Sequence, residues 1–258
     1  MTRPSSSQRA RSGAFTGTSA GASAERKAAA HAVRNAPQQV RIIGGDWKRT
    51  PLQVVDAQGL RPTPDRVRET LFNWLGQQLA GAVCLDMFAG TGALGFEAAS
   101  RGARRVLLVE RQAKAVAQLR AVKARLGAGA VEVAEADALR LAAGLAPQSF
   151  DVIFIDPPFD SALLSRALPV AGRLASAGAD IYVESPVPLD PETARALPPE
   201  MADPALAAAF AELHAAGWRI ARYGKAGAVH YHLLRREVNE RSNEATDRGA
   251  AQGADENG

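Results

Sequence analysis

A chain of 258 residues with 47% hydrophobic content is long enough to bury a full core, as one large domain or two small ones. No apolar run approaches the roughly 18 residues of a membrane span, and the single cysteine excludes an internal disulfide framework or a multi-cysteine metal site. The net charge of +4 comes from the leading segment: residues 1–40 hold six basic residues against one acid, and the stretch from Arg235 onward four against six, which leaves 21 basic and 20 acidic residues between.

Residues 1–39 are rich in Ser, Ala, Gly and Arg without apolar periodicity, so they read as a disordered basic tail. Their Arg- and Ser-rich, acid-poor character also fits an organelle transit peptide, and they lack the continuous apolar segment of a secretory signal. "VRIIGG" and "PLQVV" follow as short strands around a Gly-Gly turn, and "PDRVRETLFNWLGQQL" as a helix with Val67, Leu71, Trp74 and Leu75 on one apolar face. Within this stretch, Arg41 to Arg68 carries six basic residues against three acids, a modest pointer to nucleic acid. Strand-like and helical pieces then alternate: "AVCLDMF", a helix from Ala93 to Ser100, "RRVLLVE", a helix from Gln112 to Leu126, "AVEVAEA", "FDVIFI", a helix around Ser161 to Leu174, "ADIYVES" and a helix ending near Ala216. "WRIARYG" and "AVHYHLLRR" close the pattern as a hairpin, and residues 238–258 form a second polar tail. The alternation predicts a doubly wound, mostly parallel sheet of seven strands with an antiparallel C-terminal hairpin. A domain over 40–237 follows, its residues 40–80 a hairpin-plus-helix extension.

Cys84, inside "AVCLD", reads as a small core residue, and free thiol usage fits a reducing, cytoplasmic setting. After the same strand, Gly90, Gly92 and Gly95 match G-x-G-x-x-G, and Glu110 ends the next strand 20 residues after Gly90. This layout suits a nucleotide-containing cofactor, with Glu110 accepting from ribose hydroxyls. Asp86 separates the candidates: a carboxylate there repels a dinucleotide pyrophosphate but attracts the ammonium of S-adenosylmethionine. Asp137 could accept from an adenine amine, cap a helix, or do both. Phe88 and Gly92 in the glycine turn, Arg111 after Glu110 and Ala138 after Asp137 complete the expected cofactor set.

"FDVIFIDPPFD" ends a buried strand in a carboxylate, two prolines and a ring. In an open α/β sheet, ligands bind beyond the carboxyl ends of the strands, so Asp156 should face the crevice shared with Asp86 and Glu110. A nucleobase amine is a weak nucleophile because its lone pair is delocalised. Acceptors at Asp156 and at the Pro157 carbonyl would hold both amine protons and stabilise the charge that develops on nitrogen. Pro157 and Pro158 restrict the turn, and Phe159 offers a stacking face.

Asp-Pro-Pro-Phe after the fourth strand resembles the motif of S-adenosylmethionine-dependent methyltransferases that act on exocyclic amines. Together with "RIIGGDWKRTPL", "GLRPTPDRVRETLFNWL" and "LDMFAGTGALGFEAASRGA", it resembles the RsmD-type methyltransferases over roughly Arg41 to Arg236. The resemblance implies a Rossmann-like methyltransferase fold and methylation of guanine N2 in bacterial 16S ribosomal RNA, and a body with 21 basic against 20 acidic residues, which has little to hold bare RNA, points to an assembling small subunit as the substrate. It implies that Asp86, Gly90, Glu110 and Asp137 hold the cofactor and that Asp156, Pro157, Pro158 and Phe159 hold the base. It makes Arg61, Thr63, Arg66 and Arg68 candidates for RNA phosphates or for closing over the cofactor, the plainer alternative being a solvated helix face with local Asp65/Arg68/Glu69 pairs, and Arg41, Lys48 and Arg49 phosphate contacts of the same kind. The Pro- and Ala-rich segment from Pro186 to Ala215 looks longer than the family needs. His230 and His232 share one face of the last strand, and without a cysteine or acid at ligand spacing no metal is expected. Rival readings are a DNA adenine-N6 or protein glutamine-N5 methyltransferase using the same motif, an NAD-dependent oxidoreductase, and a non-catalytic RNA-binding scaffold.

Overall fold

The computed structural model describes residues 39–54, 63–158, 162–195, 198 and 202–237. The expected tails therefore lie outside the described residues, except Gln39, which opens the first strand. Strands β1 (Gln39–Arg41) and β2 (Pro51–Gln53) form a small antiparallel ribbon, followed by helix α1 (Asp65–Trp74). Then come β3 (Val83–Asp86), α2 (Ala93–Ser100), β4 (Arg105–Glu110), α3 (Ala113–Leu126), β5 (Val131–Glu135) and α4 (Ala138–Ala143). The second half runs β6 (Phe150–Ile155), α5 (Leu163–Leu174), β7 (Ala175–Ser185), α6 (Pro191–Arg195), α7 (Pro204–Ala215), β8 (Trp218–Ala226) and β9 (Val229–Arg236).

The seven-stranded sheet has the order β5-β4-β3-β6-β7-β9-β8. β3 pairs in parallel with both β4 and β6, and β9 runs antiparallel to β7 and β8, so the expected topology is present. Because the chain starts in the middle of the sheet and winds outward in both directions, β3 and β6 flank the switch point where a crevice opens.

Period-two alternation sends each strand's side chains to two cores. Leu85, Leu107, Val109, Ile153, Ile155, Ile181 and Val183 pack with α4, α5 and α7 on one face. Cys84, Val106, Leu108, Val152, Phe154 and Tyr182 pack with α1, α2 and α3 on the other. Burial pushes the Cys84 thiol up to about 12, as an inert core residue requires. The Pro/Ala-rich segment contains α7, whose Leu206, Ala209, Phe210 and Leu213 complete the first core.

Every residue of α2 is buried. Its small, mostly apolar sequence lets neighbours approach closely: a Cβ on Gly95 would lie 2.1 Å from Leu108 Cδ2 on β4. The connection between β1 and β2 docks on its C-terminal half, where Glu97 accepts from Ile43 N at 2.7 Å and Gly44 N at 2.8 Å. Ser100 Oγ accepts from Trp47 N at 2.9 Å and donates to the Gly44 carbonyl at 2.6 Å. "IIGGDW" is thus a fastening between the ribbon and the sheet layers.

Candidate active site

The turn between β3 and α2 brings the glycine motif to the switch point. Gly92 caps α2 at φ 77°, a left-handed conformation that favours glycine. Glu110, at the end of β4, closes the turn: one carboxylate oxygen accepts from Gly90 N at 2.9 Å and the other from Gln112 N at 2.8 Å. The interval of 20 residues between Gly90 and Glu110 is therefore a direct contact.

Asp86 ends β3 with its carboxylate buried, accepting from Gly95 N at 3.2 Å in the first turn of α2. Burial raises its pKa to about 7, against the pull of the Gly95 and Phe88 amides and helped by the Glu110 charge. A nearby cation would restore its ionised form. Asp137 caps α4, accepting from Arg140 N at 2.9 Å with one oxygen, which leaves the second oxygen outside the cap. Phe88 is half-buried, Ala138 is buried and Arg111 is exposed.

Asp156 follows the end of β6, beside buried Pro157 and half-buried Pro158, whereas Phe159 lies outside the described residues. The Thr63 hydroxyl sits 3.3 Å from Asp156 Oδ2 and 2.9 Å from Glu184 Oε1 on β7. The Tyr182 hydroxyl donates to the same Glu184 oxygen at 2.9 Å. Burial of its carboxyl raises Asp156 well above the usual carboxylate range, reinforced by the negative charges of Glu184 and Asp86. Glu184 is also raised by burial, opposed by the Tyr182 and Thr63 hydroxyls. Sequence reasoning did not single out Glu184. The signal was available, since "ADIYVES" carries an acid next to its last residue, much as Asp156 follows the last residue of the neighbouring parallel strand.

The basic candidates divide. Arg41, Lys48, Arg49 and Arg66 are exposed, as phosphate contacts must be, and Arg61 lies outside the described residues. Thr63 is buried on the two carboxylates, away from the solvent-facing role expected of a phosphate contact. Arg68 is a correction: it is 0% exposed, bonded to Asp65 Oδ1 at 2.6 Å and the Thr63 carbonyl at 3.4 Å, and 3.6 Å from Glu97. Its side chain belongs to the inward stripe of α1 with Val67, Leu71 and Phe72, so a phosphate has no access to it. His230 and His232 share a face as expected, but each has a protein partner. His230 Nδ1 pairs with the Tyr223 hydroxyl at 2.8 Å, and His232 Nε2 accepts from Leu189 N at 3.2 Å. Burial lowers the pKa of His232 to about 4, so it is neutral.

The family described as Conserved hypothetical protein 95 matches residues 40–194, which include the ribbon, the glycine turn and Asp156. This chain belongs to that family. Among the relatives of this Conserved hypothetical protein 95 member, Ribosomal RNA small subunit methyltransferase D of Escherichia coli K12 is 40% identical over 203 residues, 78% of this chain and 91% of the relative. The protein of the same description in Haemophilus influenzae is 40% identical over 156 residues, 58% of this chain and 81% of the relative. A solved Escherichia coli structure, described as a candidate methyltransferase, superposes with a TM-score of 0.60 at 37% identity, covering 77% of this chain and 98% of that one. A Geobacter metallireducens precorrin-6y C5,15-methyltransferase, at 18% identity and a TM-score of 0.53, shares the fold over 72% of this chain and 94% of its own.

Proposed function

We propose that residues 40–237 form a methyltransferase domain that moves a methyl group from S-adenosylmethionine to N2 of a guanine in small-subunit ribosomal RNA. The observation that carries this reading is the carboxylate of Asp156 beside two prolines at the switch-point crevice, within the electrostatic reach of Asp86. The names of the E. coli and H. influenzae relatives direct the choice of polymer.

The residues fit the donor's chemistry. Asp86 is a desolvated carboxylate that an amino-acid ammonium would ionise and pair with. Glu110 binds two backbone amides, and each of its oxygens retains a lone pair for a ribose hydroxyl. The Asp137 oxygen outside the helix cap, beside Ala138, suits the adenine amine. Phe88 gives the crevice an apolar wall. Bound there, the donor supplies an electrophilic methyl group on a sulfonium.

The chain's own residues do the rest. Asp156 and the Pro157 carbonyl accept hydrogen bonds from the two amine N–H groups, turn the nitrogen lone pair towards the methyl group and stabilise the charge that forms, and the one proton then shed by the methylated nitrogen has the Asp156 carboxylate as its nearest base. Catalysis is then chiefly orientation of an in-line attack. Arg41, Lys48, Arg49 and Arg66 offer exposed cations for phosphates. Between the terminal segments the charge is nearly balanced, at 21 basic against 20 acidic residues, which gives bare RNA little nonspecific hold. A partly assembled small subunit, presenting a shaped surface in the cytoplasm, is therefore the substrate we favour.

The decisive measurement incubates the protein with labelled S-adenosylmethionine and either free 16S RNA or protein-bound subunits, then maps the label by nuclease digestion. Label is expected on a guanine, more strongly in the particles, and an Asp156→Ala protein should lose at least about 100-fold in rate. Label confined to DNA or protein, or an Asp156→Ala protein of full activity, overturns the assignment.

A further inference from the structure

Asp156 and Glu184 arrive side by side for a reason of register. Phe154 pairs with Tyr182 across the parallel strands β6 and β7, so the residues two positions further on are level and point to the same face. Two like charges there would repel strongly, and a hydroxyl separates them. The Thr63 oxygen is within hydrogen-bonding distance of both, at 3.3 Å and 2.9 Å.

A threonine hydroxyl has one proton to donate. When it donates to one carboxylate, its oxygen can only accept from the other, which must then carry a proton itself. The bridge is thus satisfied when the pair holds one extra proton, and reversing the hydroxyl moves the negative charge from one acid to the other. Methyl transfer needs that charge on Asp156, because a protonated carboxyl offers the amine a poorer acceptor.

We propose that Glu184 is a positioning residue for methyl transfer: joined to Asp156 through the Thr63 hydroxyl, it takes the one proton that the pair must hold and leaves Asp156 as the anionic acceptor of the target amine. This rests on the methyltransferase reading above. The proton moves from Asp156 Oδ2 to Thr63 Oγ1 as the hydroxyl proton passes to Glu184 Oε1, so nothing is gained or lost. The other titratable groups facing the pair are Asp86 on β3, Tyr182 on β7 and, beside Tyr182, Tyr231 on β9, while Arg68 on α1 touches the Thr63 carbonyl. Burial together with the Glu184 and Asp156 charges raises the Tyr182 phenol well above its usual range, so it remains a donor to Glu184.

The test follows the rate of methyl transfer to small-subunit particles between pH 5 and 9, with the full-length protein and its Glu184→Gln, Thr63→Val and Thr63→Ser variants, alongside donor affinity and thermal melting. Gln stands in for the protonated Glu184: it is uncharged and its NH2 can donate to Thr63 Oγ1, which leaves the hydroxyl proton for Asp156. Glu184→Gln should therefore keep donor binding and leave the acid limb in place, but extend the active range to higher pH by about one unit or more, because the amide has no proton to lose where the wild-type pair does. Thr63→Val should lower kcat about 10- to 100-fold with little change in KM for the donor, and Thr63→Ser should restore it. An active wild type whose alkaline limb is unmoved by Glu184→Gln overturns the role of Glu184 alone. If that variant does not fold, a Thr63→Val protein with unchanged kcat and pH profile does the same. A wild type inert towards small-subunit particles and free 16S RNA alike overturns the methyltransferase reading as well.

Discussion

Glu97 commits both carboxylate oxygens to protein donors: Ile43 N on one, Gly44 N and the Arg101 guanidinium on the other, the last at 2.8 Å. Arg68, equally buried, lies 3.6 Å away. Removing one member of such a buried constellation leaves charges and amides without partners, at a cost of about 3–5 kcal/mol. A Glu97→Ala protein should therefore melt well below the wild type. Glu97→Gln should recover only part of the loss, because an amide NH2 would face a backbone N–H, and thermal unfolding of the two variants checks this. The same residues explain the misreading of Arg68. A basic residue near a basic segment suggests phosphate binding, yet positions 68, 71, 72 and 75 form a helical stripe, and the structure buries 68, 71 and 72. The expected apolar face of Val67, Leu71, Trp74 and Leu75 left Arg68 out, and nothing in the spacing marks Glu97 as its neighbour, since a contact between residues 29 apart in sequence arises only from the packing of α1 on α2.

At the scale of elements, the alternation of strands and helices was readable apart from the short helices α4 and α6, because both cores impose strict periodicity. Asp86, Glu110 and Asp156 were readable for a related reason: each stands at the carboxyl end of a parallel strand or one residue beyond it, and topology brings those ends together. The bridge from Thr63 to Asp156 and Glu184 was not, because it joins three segments separated by 93 and 121 residues. The ribbon was expected as two strands around a Gly-Gly turn, but its connection proves to be a docking segment on α2. A Cβ on Gly45 would lie 1.7 Å from the Ser100 carbonyl oxygen, and its φ of 71° adds backbone strain. Gly45→Ala should accordingly destabilise by about 1–3 kcal/mol or more, the usual cost of overpacking. Hydrogen exchange should locate the damage: amides of the 39–53 ribbon lose protection first, while those of β3 and β6 retain theirs under native conditions. Equal loss across β3, β6 and the ribbon would mean that the fastening is not local.

Over the whole molecule, the crevice concentrates desolvated acids, and the folded chain should respond to pH through them. Asp86 has its pKa raised from 3.8 to about 7, chiefly by burial. Since the folded state binds its proton more tightly than the unfolded state, stability falls as pH rises from about 4 to about 7, by up to about 1.4 kcal/mol per pH unit from this group. Asp156 and Glu184 are raised as well and act with the same sign, so Asp86 must be isolated by difference. An Asp86→Asn protein has no proton to lose there, and its stability should fall less steeply between pH 5 and 7 than that of the wild type. Ligand binding should show the opposite slope. An ammonium pairs with the ionised form of Asp86, so affinity for S-adenosylmethionine should strengthen between pH 5.5 and 7, by up to about tenfold per unit. Above that range the ligand's own α-amino group, with an ordinary pKa near 8, begins to lose its proton and reverses the trend. Calorimetric titration across pH 5.5 to 8.5 should therefore give an affinity maximum near pH 7 to 8 in the wild type. Asp86→Asn should bind more weakly, without the rise on the acid side. A rise of equal steepness in both proteins would assign it to another acid of the crevice and remove Asp86 from the ammonium site.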